Sequence, residues 1–192
     1  MTATWHQIVD GYVLAGGSKV ASSVVYVNDG DQHIVIDPGL VAAQSQILEP
    51  LARLGVQPDQ ITDAVISHHH PDHTMNVGLF GNARVHSGTA IYFGDHWDDA
   101  SADRSISANV RLIATPGHQP EDISVVIDGN DSNGNSGIVI YTHEWWMESG
   151  PEIDPYAANP DQLAASRKKI LDLNPVKIIP AHGPAFINKN AL

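Results

Sequence analysis

The sequence predicts an α+β protein in which two β-sheets pack face to face, each carrying helices on its outer side. Three observations lead there. Short β-branched runs fall into two groups, one within Ser23–His86 and one within Val110–Pro180. An amphipathic helical pattern interrupts each group. Turn-forming clusters sit where neighbouring runs must reverse direction.

In chain order, Ser23–Asn28 and His33–Asp37 read as strands joined by the hairpin signal Asn28-Asp29-Gly30-Asp31. Gln44–Leu54 reads as a helix, because Ile47, Leu48, Leu51 and Leu54 recur at helical spacing and Gly55 stops it. Thr62–Ser67 and Ala83–His86 are further strands, with a short third helix expected over Asp72–Leu79. The acidic stretch Asp95–Asp103 around Trp97 reads as a solvated loop or as a rim of the site. In the second group, Val110–Ala114, Ile123–Asp128 and Ile138–Tyr141 are strands, the last two joined across the Gly/Asn-rich run Gly129–Gly137. A helix over Asp161–Leu171 then precedes the strand Val176–Pro180. No repeat, low-complexity tract or long linker interrupts the chain, so residues 1–192 are expected to form a single domain.

Composition narrows the function. Ten Lys plus Arg against 22 Asp plus Glu gives a net charge of −12, which repels nucleic acid unless cations cluster at the site. The one cluster, Arg167-Lys168-Lys169, lies on an expected helix, where successive side chains point in different directions. A small-molecule substrate is therefore expected over nucleic acid, and the sequence leaves the oligomeric state open. There is no cysteine, which excludes a thiolate metal site, a disulfide framework and a cysteine nucleophile. No stretch reaches the ~18 apolar residues that span a bilayer, and Met1–Gly17 lacks the pattern of a secretory signal. No membrane partner and a cytoplasmic location are expected.

The richest segment is His68-His69-His70-Pro71-Asp72-His73, directly after a strand. Pro71 holds His70 extended, so His68 and His70 project to one side and can share a metal. Pro71 then opens a helix that turns Asp72 and His73 toward a second point nearby. His69, between the two, points away and is expected to pack. His118 in Thr-Pro-Gly-His and His182 in Pro-Ala-His-Gly-Pro follow later strands, each beside glycine or proline that lets the backbone approach closely. Imidazole with carboxylate suits zinc, iron or manganese.

In these pieces, together with Val35-Ile36-Asp37-Pro38-Gly39, the chain resembles the metallo-β-lactamase superfamily, and the likeness runs in order through nearly its whole length. The resemblance implies a four-layer αβ/βα sandwich with the metals at the open edge between the sheets. It implies His68, His70 and His118 on one metal, Asp72, His73 and His182 on a second, and Asp37 orienting the site from behind. A narrower likeness, in Asn76–Phe80 and from Ser166 to Phe186, is to a group linked to RNA cleavage. One departure stands out. The family places a bridging Asp after the strand equivalent to Ile138–Tyr141, and here Thr142-His143-Glu144 follows, so either Glu144 or His143 is expected to reach the metal.

A metal with an open position lowers the pKa of bound water to about 7, giving hydroxide without a protein nucleophile. The sequence also lacks a Gly-x-Ser-x-Gly elbow. The expected activity is thus metallo-hydrolysis of an ester, thioester, lactone, amide such as a β-lactam, or phosphodiester, with two zinc ions. Asp72 serves as ligand and His143 as a candidate acid at the leaving group. Two alternatives are a mononuclear iron enzyme oxidising persulfides and a metal-binding module with weakened catalysis. His6, His33, His86 and His96 lack a motif and are expected outside the site. Trp145 and Trp146 read equally as core and as a substrate lid.

Overall fold

The computed structural model describes residues 2–189. In chain order its elements are β1 Ala3–Val9, β2 Tyr12–Leu14, β3 Lys19–Ala21, β4 Val24–Asp29, β5 Gln32–Ile36, α1 Ser45–Arg53, β6 Asp63–Ile66 and α2 Pro71–Thr74. There follow β7 Arg84–Ser87, β8 Ala90–Phe93, β9 His96–Asp99, β10 Arg104–Ser105, β11 Val110–Ala114 and β12 Ile123–Asn130. The last are β13 Ser136–Thr142, α3 Pro160–Asp172, β14 Lys177–Pro180 and β15 Phe186–Ile187.

The first sheet runs β1-β4-β5-β6-β7-β8-β9 and the second β10-β11-β12-β13-β14-β15. They join at one corner, where Ala3 and Thr4 pair in parallel with Gly129 and Asn130. β2 and β3 form a separate hairpin. Alternation along each strand divides the side chains between layers. Val25, Val27, Ile34 and Ile36 meet Ile123, Val125, Ile127, Val139 and Tyr141 between the sheets. On the outer faces, Val24, Tyr26 and Val35 pack with Ile47 and Leu51 of α1, while Val126 and Ile140 pack with Ile170 of α3. The result is the four-layer αβ/βα sandwich, each fully buried Val, Ile or Leu contributing about 1.5–3 kcal/mol.

The helices begin and end where local chemistry dictates. α1 closes at Gly55, in the left-handed region (φ 77°), whose amide donates to the Ala52 carbonyl. α3 opens on Asn159, whose side-chain oxygen accepts from the Asp161 and Gln162 amides, followed by Pro160 at its first position.

Two expectations change. Asp95–Asp103 is not simply a loop, because β9 lies within it as an exposed edge strand turned back on β8 at Gly94. The short helix expected over Asp72–Leu79 breaks after one turn and resumes as a 3₁₀ turn at Val77–Leu79. The break has a tertiary cause: the Asn76 side chain donates to Gly39 O at 2.6 Å and its amide to Pro38 O at 2.8 Å. Strand β1, which is not among the strands expected from the sequence, pairs with β4 at the sheet junction. Among the described residues, no helix is long and apolar enough to cross a membrane.

Candidate metal centre

The fold delivers the metal-type side chains from strand ends at one edge of the sandwich. His68 and His70 follow β6, Asp72 and His73 ride on α2, and His118, His143 and His182 follow β11, β13 and β14. The turn after β5 supports them. Gly39 is needed there because a Cβ on it would lie 1.6 Å from the Asp72 carbonyl oxygen, so the metal motif rests directly on this residue.

Three ring nitrogens converge first. His70 Nδ1 lies 3.0 Å from His68 Nε2 and 3.1 Å from His118 Nε2. Beside them, Asp72 Oδ2 lies 3.3 Å from His73 Nε2 and 3.7 Å from His182 Nε2. His143 sits between these groups, its ring 4.0 Å from that of His118 and 4.6 Å from that of His68, with Nε2 3.2 Å from His182 Nε2. The structure thus brings together His68, His70, Asp72, His73, His118, His143 and His182.

Glu144 does not join them. It is buried with both carboxylate oxygens unbonded, outside every converging group, while its carbonyl accepts from Arg167 Nε at 2.8 Å. Strand alternation explains the exchange. Val139 and Tyr141 face the space between the sheets and Ile140 faces α3, so one more step puts His143 toward the cleft and Glu144 away. Burial, with Asp122 nearby, pushes the Glu144 carboxyl up to about 9.

Buried carboxylates hold the imidazoles. Asp37, fully buried, accepts from the Ser67 amide at 2.6 Å, Ser67 Oγ at 2.5 Å, His73 Nδ1 at 2.6 Å and Tyr141 Oη at 2.7 Å. Burial lowers the His73 pKa, but Asp37 and Asp72 outweigh it and raise the ring to about 9. Asp72, despite burial, is held at about 2 by His73 and His182. His68 and His143 are pushed well below 6.5 by burial and neighbouring imidazoles, and His182 falls to about 4 for the same reasons.

Sequence reading missed Asp122 and Asp154. Asp122 Oδ1 lies 3.6 Å from His68 Nδ1, and burial pushes its carboxyl up to about 7. Asp154 Oδ2 accepts from His118 Nδ1 at 2.7 Å. Neither stands in a motif, and only the tertiary fold brings each to a histidine.

The donors fit metal ions. Imidazole nitrogens face one another at about 3 Å in three places, and His68, His143 and His182, held neutral by burial, have lone pairs to offer shared points. His73 Nε2 is buried beside Asp72 Oδ2 at 3.3 Å, and its Nδ1 is fixed by Asp37. The nitrogen-and-oxygen set suits zinc, iron or manganese.

The remaining histidines lie elsewhere. His69 pairs with Ser87 Oγ at 2.9 Å, His33 with Tyr26 Oη at 2.6 Å and His86 with Asp63 at 2.8 Å, and His96 is exposed on β9. The tryptophans divide their roles. Trp145 packs in the outer core with Arg167 over its ring. Trp146 stacks on Tyr156 with ring centroids 5.8 Å apart and faces the candidate site. The site opens into a cavity of about 610 Å³ walled by Trp146, Tyr156 and Pro155 on one side and by Val13 and Val20 of the β2–β3 hairpin. Among the described residues, no Lys or Arg lines it.

Comparison with known proteins agrees with this architecture. The profile of the metallo-beta-lactamase superfamily matches residues 17–96. Metallo-beta-lactamase domain-containing protein 1 of Xenopus laevis is 27% identical over 191 residues, covering 94% of this chain and 80% of that protein. Its Mus musculus counterpart is 31% identical over 179 residues, covering 89% of this chain and 65% of its own length, so the chain spans less than two thirds of the mouse relative. A Thermotoga maritima structure described among the metallo-beta-lactamases superposes with a TM-score of 0.75 at 23% identity, covering 98% of this chain and 100% of its own. An N-acyl homoserine lactone hydrolase, with N-hexanoyl-L-homoserine bound at its catalytic metal centre, superposes with a TM-score of 0.71 at 18% identity, covering 95% and 94%. At these identities the two structures speak for the fold alone. The chain thus has the four-layer metallo-β-lactamase fold, and in the matched segment and in its relatives it is similar to the metallo-β-lactamase superfamily.

Proposed function

We propose that this chain is a zinc-dependent hydrolase of small, uncharged carboxylic esters or lactones. One observation carries the reading: two groups of metal-type donors, around His70 and around Asp72, meet at the floor of a cavity with apolar and aromatic walls. In the proposed arrangement His68, His70 and His118 hold one ion and Asp72, His73 and His182 a second. His143, between them, takes the place expected for a bridging carboxylate. When bound, such ions supply a hydroxide nucleophile near neutral pH and polarise the scissile carbonyl.

The chain's own groups orient and shield the reacting atoms. Asp37 keeps the His73 proton on Nδ1, which leaves Nε2 directed at the cluster. Asp72 is ionised throughout the physiological range, so it serves as a ligand and as no proton donor. His143 is enclosed by four other rings, a setting that favours holding a metal over acid work at a leaving group. Val13, Val20, Trp146 and Tyr156 exclude water from the reacting carbonyl and seat an apolar substituent. With no Lys or Arg among the described lining residues, and in a chain of net charge −12, a phosphodiester or a carboxylate-bearing β-lactam meets no compensating side-chain cation.

Protein purified without added metal should contain zinc and turn over esters or lactones in preference to β-lactams and RNA. Metal analysis combined with such a substrate panel tests both halves. Iron as the resident metal with oxygen uptake, or zinc-loaded protein inert to the whole panel, would overturn the reading.

A further inference from the structure

We propose that Asp154 is a positioning residue that couples the aromatic wall of the cavity to the His118 ring. The inference rests on the reading of His118 as a metal ligand and extends it to the residues that meet the substrate.

Both oxygens of Asp154 are engaged, and they do different things. Oδ1 accepts from the Tyr156 amide at 2.8 Å, a local turn contact of the kind aspartate makes in many loops. Oδ2 accepts from two rings at once, His118 Nδ1 at 2.7 Å and Trp146 Nε1 at 3.2 Å. A carboxylate serving only to cap its turn needs the first contact alone. The second pair is the informative one. Trp146 is half-buried and its indole N–H is able to bond to water, yet it shares an oxygen with the imidazole whose Nε2 enters the donor cluster.

The surrounding segment reinforces this geometry. Residues 151–159 contain no regular helix or strand, but their far end is fastened to the His118 turn. The Ala158 amide donates to His118 O and the Asn159 amide to Gly117 O, each at 3.0 Å. Its near end follows Trp145 and Trp146, whose carbonyls accept from Ala181 and His182 and extend the β13–β14 pairing. Asp154 therefore joins a stretch held at both ends to the imidazole between them. With Nδ1–H committed to Asp154, the His118 tautomer is set and its ring plane fixed. Any shift of Trp146 or Tyr156 caused by a molecule in the cavity moves the same carboxylate.

Zinc alone tests the coupling. Titrated into metal-free full-length protein, it should produce a saturable change in tryptophan emission that a Trp146→Phe variant largely loses. Asp154→Asn, which retains an acceptor for the Tyr156 amide but turns an NH₂ toward the N–H groups of His118 and Trp146, should bind zinc about 10–100-fold more weakly and show no emission change at saturation. Trp146 also lies 6.1 Å from the His182 ring, so a direct effect of zinc there is the competing cause. Wild-type emission amplitude in Asp154→Asn, unchanged zinc affinity in that variant, or full amplitude in Trp146→Phe would each overturn the proposal. If the wild-type chain takes up no zinc, the metal reading falls and this one with it. Zinc uptake without a Trp146 response sinks the coupling alone.

Discussion

Replacing Asp37 with Asn isolates the support of the centre from its ligands. Asp37 has φ 45°, a left-handed conformation that Asn also tolerates, so the backbone adds little to the effect. Its carboxylate accepts four hydrogen bonds, three of them on Oδ2, from Ser67 Oγ, Tyr141 Oη and His73 Nδ1. An amide keeps one acceptor for the Ser67 amide and turns an NH₂ toward groups that donate. The two hydroxyls can rotate, but His73 must lose its Nδ1 proton or lose its partner. Removing one member of a buried, hydrogen-bonded charge pair costs roughly 3–5 kcal/mol. In a protein of this size that lowers Tm by about 6–20 °C. Moving the His73 proton to Nε2 also removes a lone pair from the donor cluster, so zinc affinity should fall about 10–100-fold. Differential scanning calorimetry of the metal-free variant and competition with a chromogenic chelator measure the two effects separately. A variant with unchanged Tm and unchanged zinc affinity would refute the assignment of Asp37 as the residue that orients His73.

His143→Ala should lower zinc stoichiometry or weaken binding by at least ~10-fold, whereas Glu144→Gln should leave both unchanged, because burial already keeps Glu144 protonated near neutral pH. Inductively coupled plasma analysis of the two variants decides between them, and metal loss confined to Glu144→Gln would reverse the assignment. The metal-free protein should be most stable near pH 6.5. His73, raised to about 9, contributes stability that is complete below 6.5 and fades as pH climbs toward 9. His182, lowered to about 4, together with His68 and His143, stays neutral when folded, so stability falls as pH drops from 6.5 and the unfolded chain takes up protons. Urea midpoints across pH 4–9 would read this curve, and a flat profile would contradict it.

The sequence by itself determined the layers and most of the donors, because both are local. Period-two alternation in Val24–Ile36 and Ile123–Tyr141 decides which side chains enter the core, and His68–His73 encodes its own geometry through Pro71 and the strand before it. The choice of His143 over Glu144 was also latent in that alternation, one step beyond the end of β13. The tertiary structure alone decided the rest. Asp122 and Asp154 carry no motif and reach His68 and His118 only because distant turns bring them there. Trp145 and Trp146 are adjacent in sequence, yet one packs against Ile140 and α3 while the other walls the cavity. Strand β9 and the break after Thr74 likewise depend on partners 3 to 38 residues away, β8 in one case and the Pro38–Gly39 turn in the other. Propensity describes how a residue treats its neighbours in the chain, and these positions answer to neighbours in space.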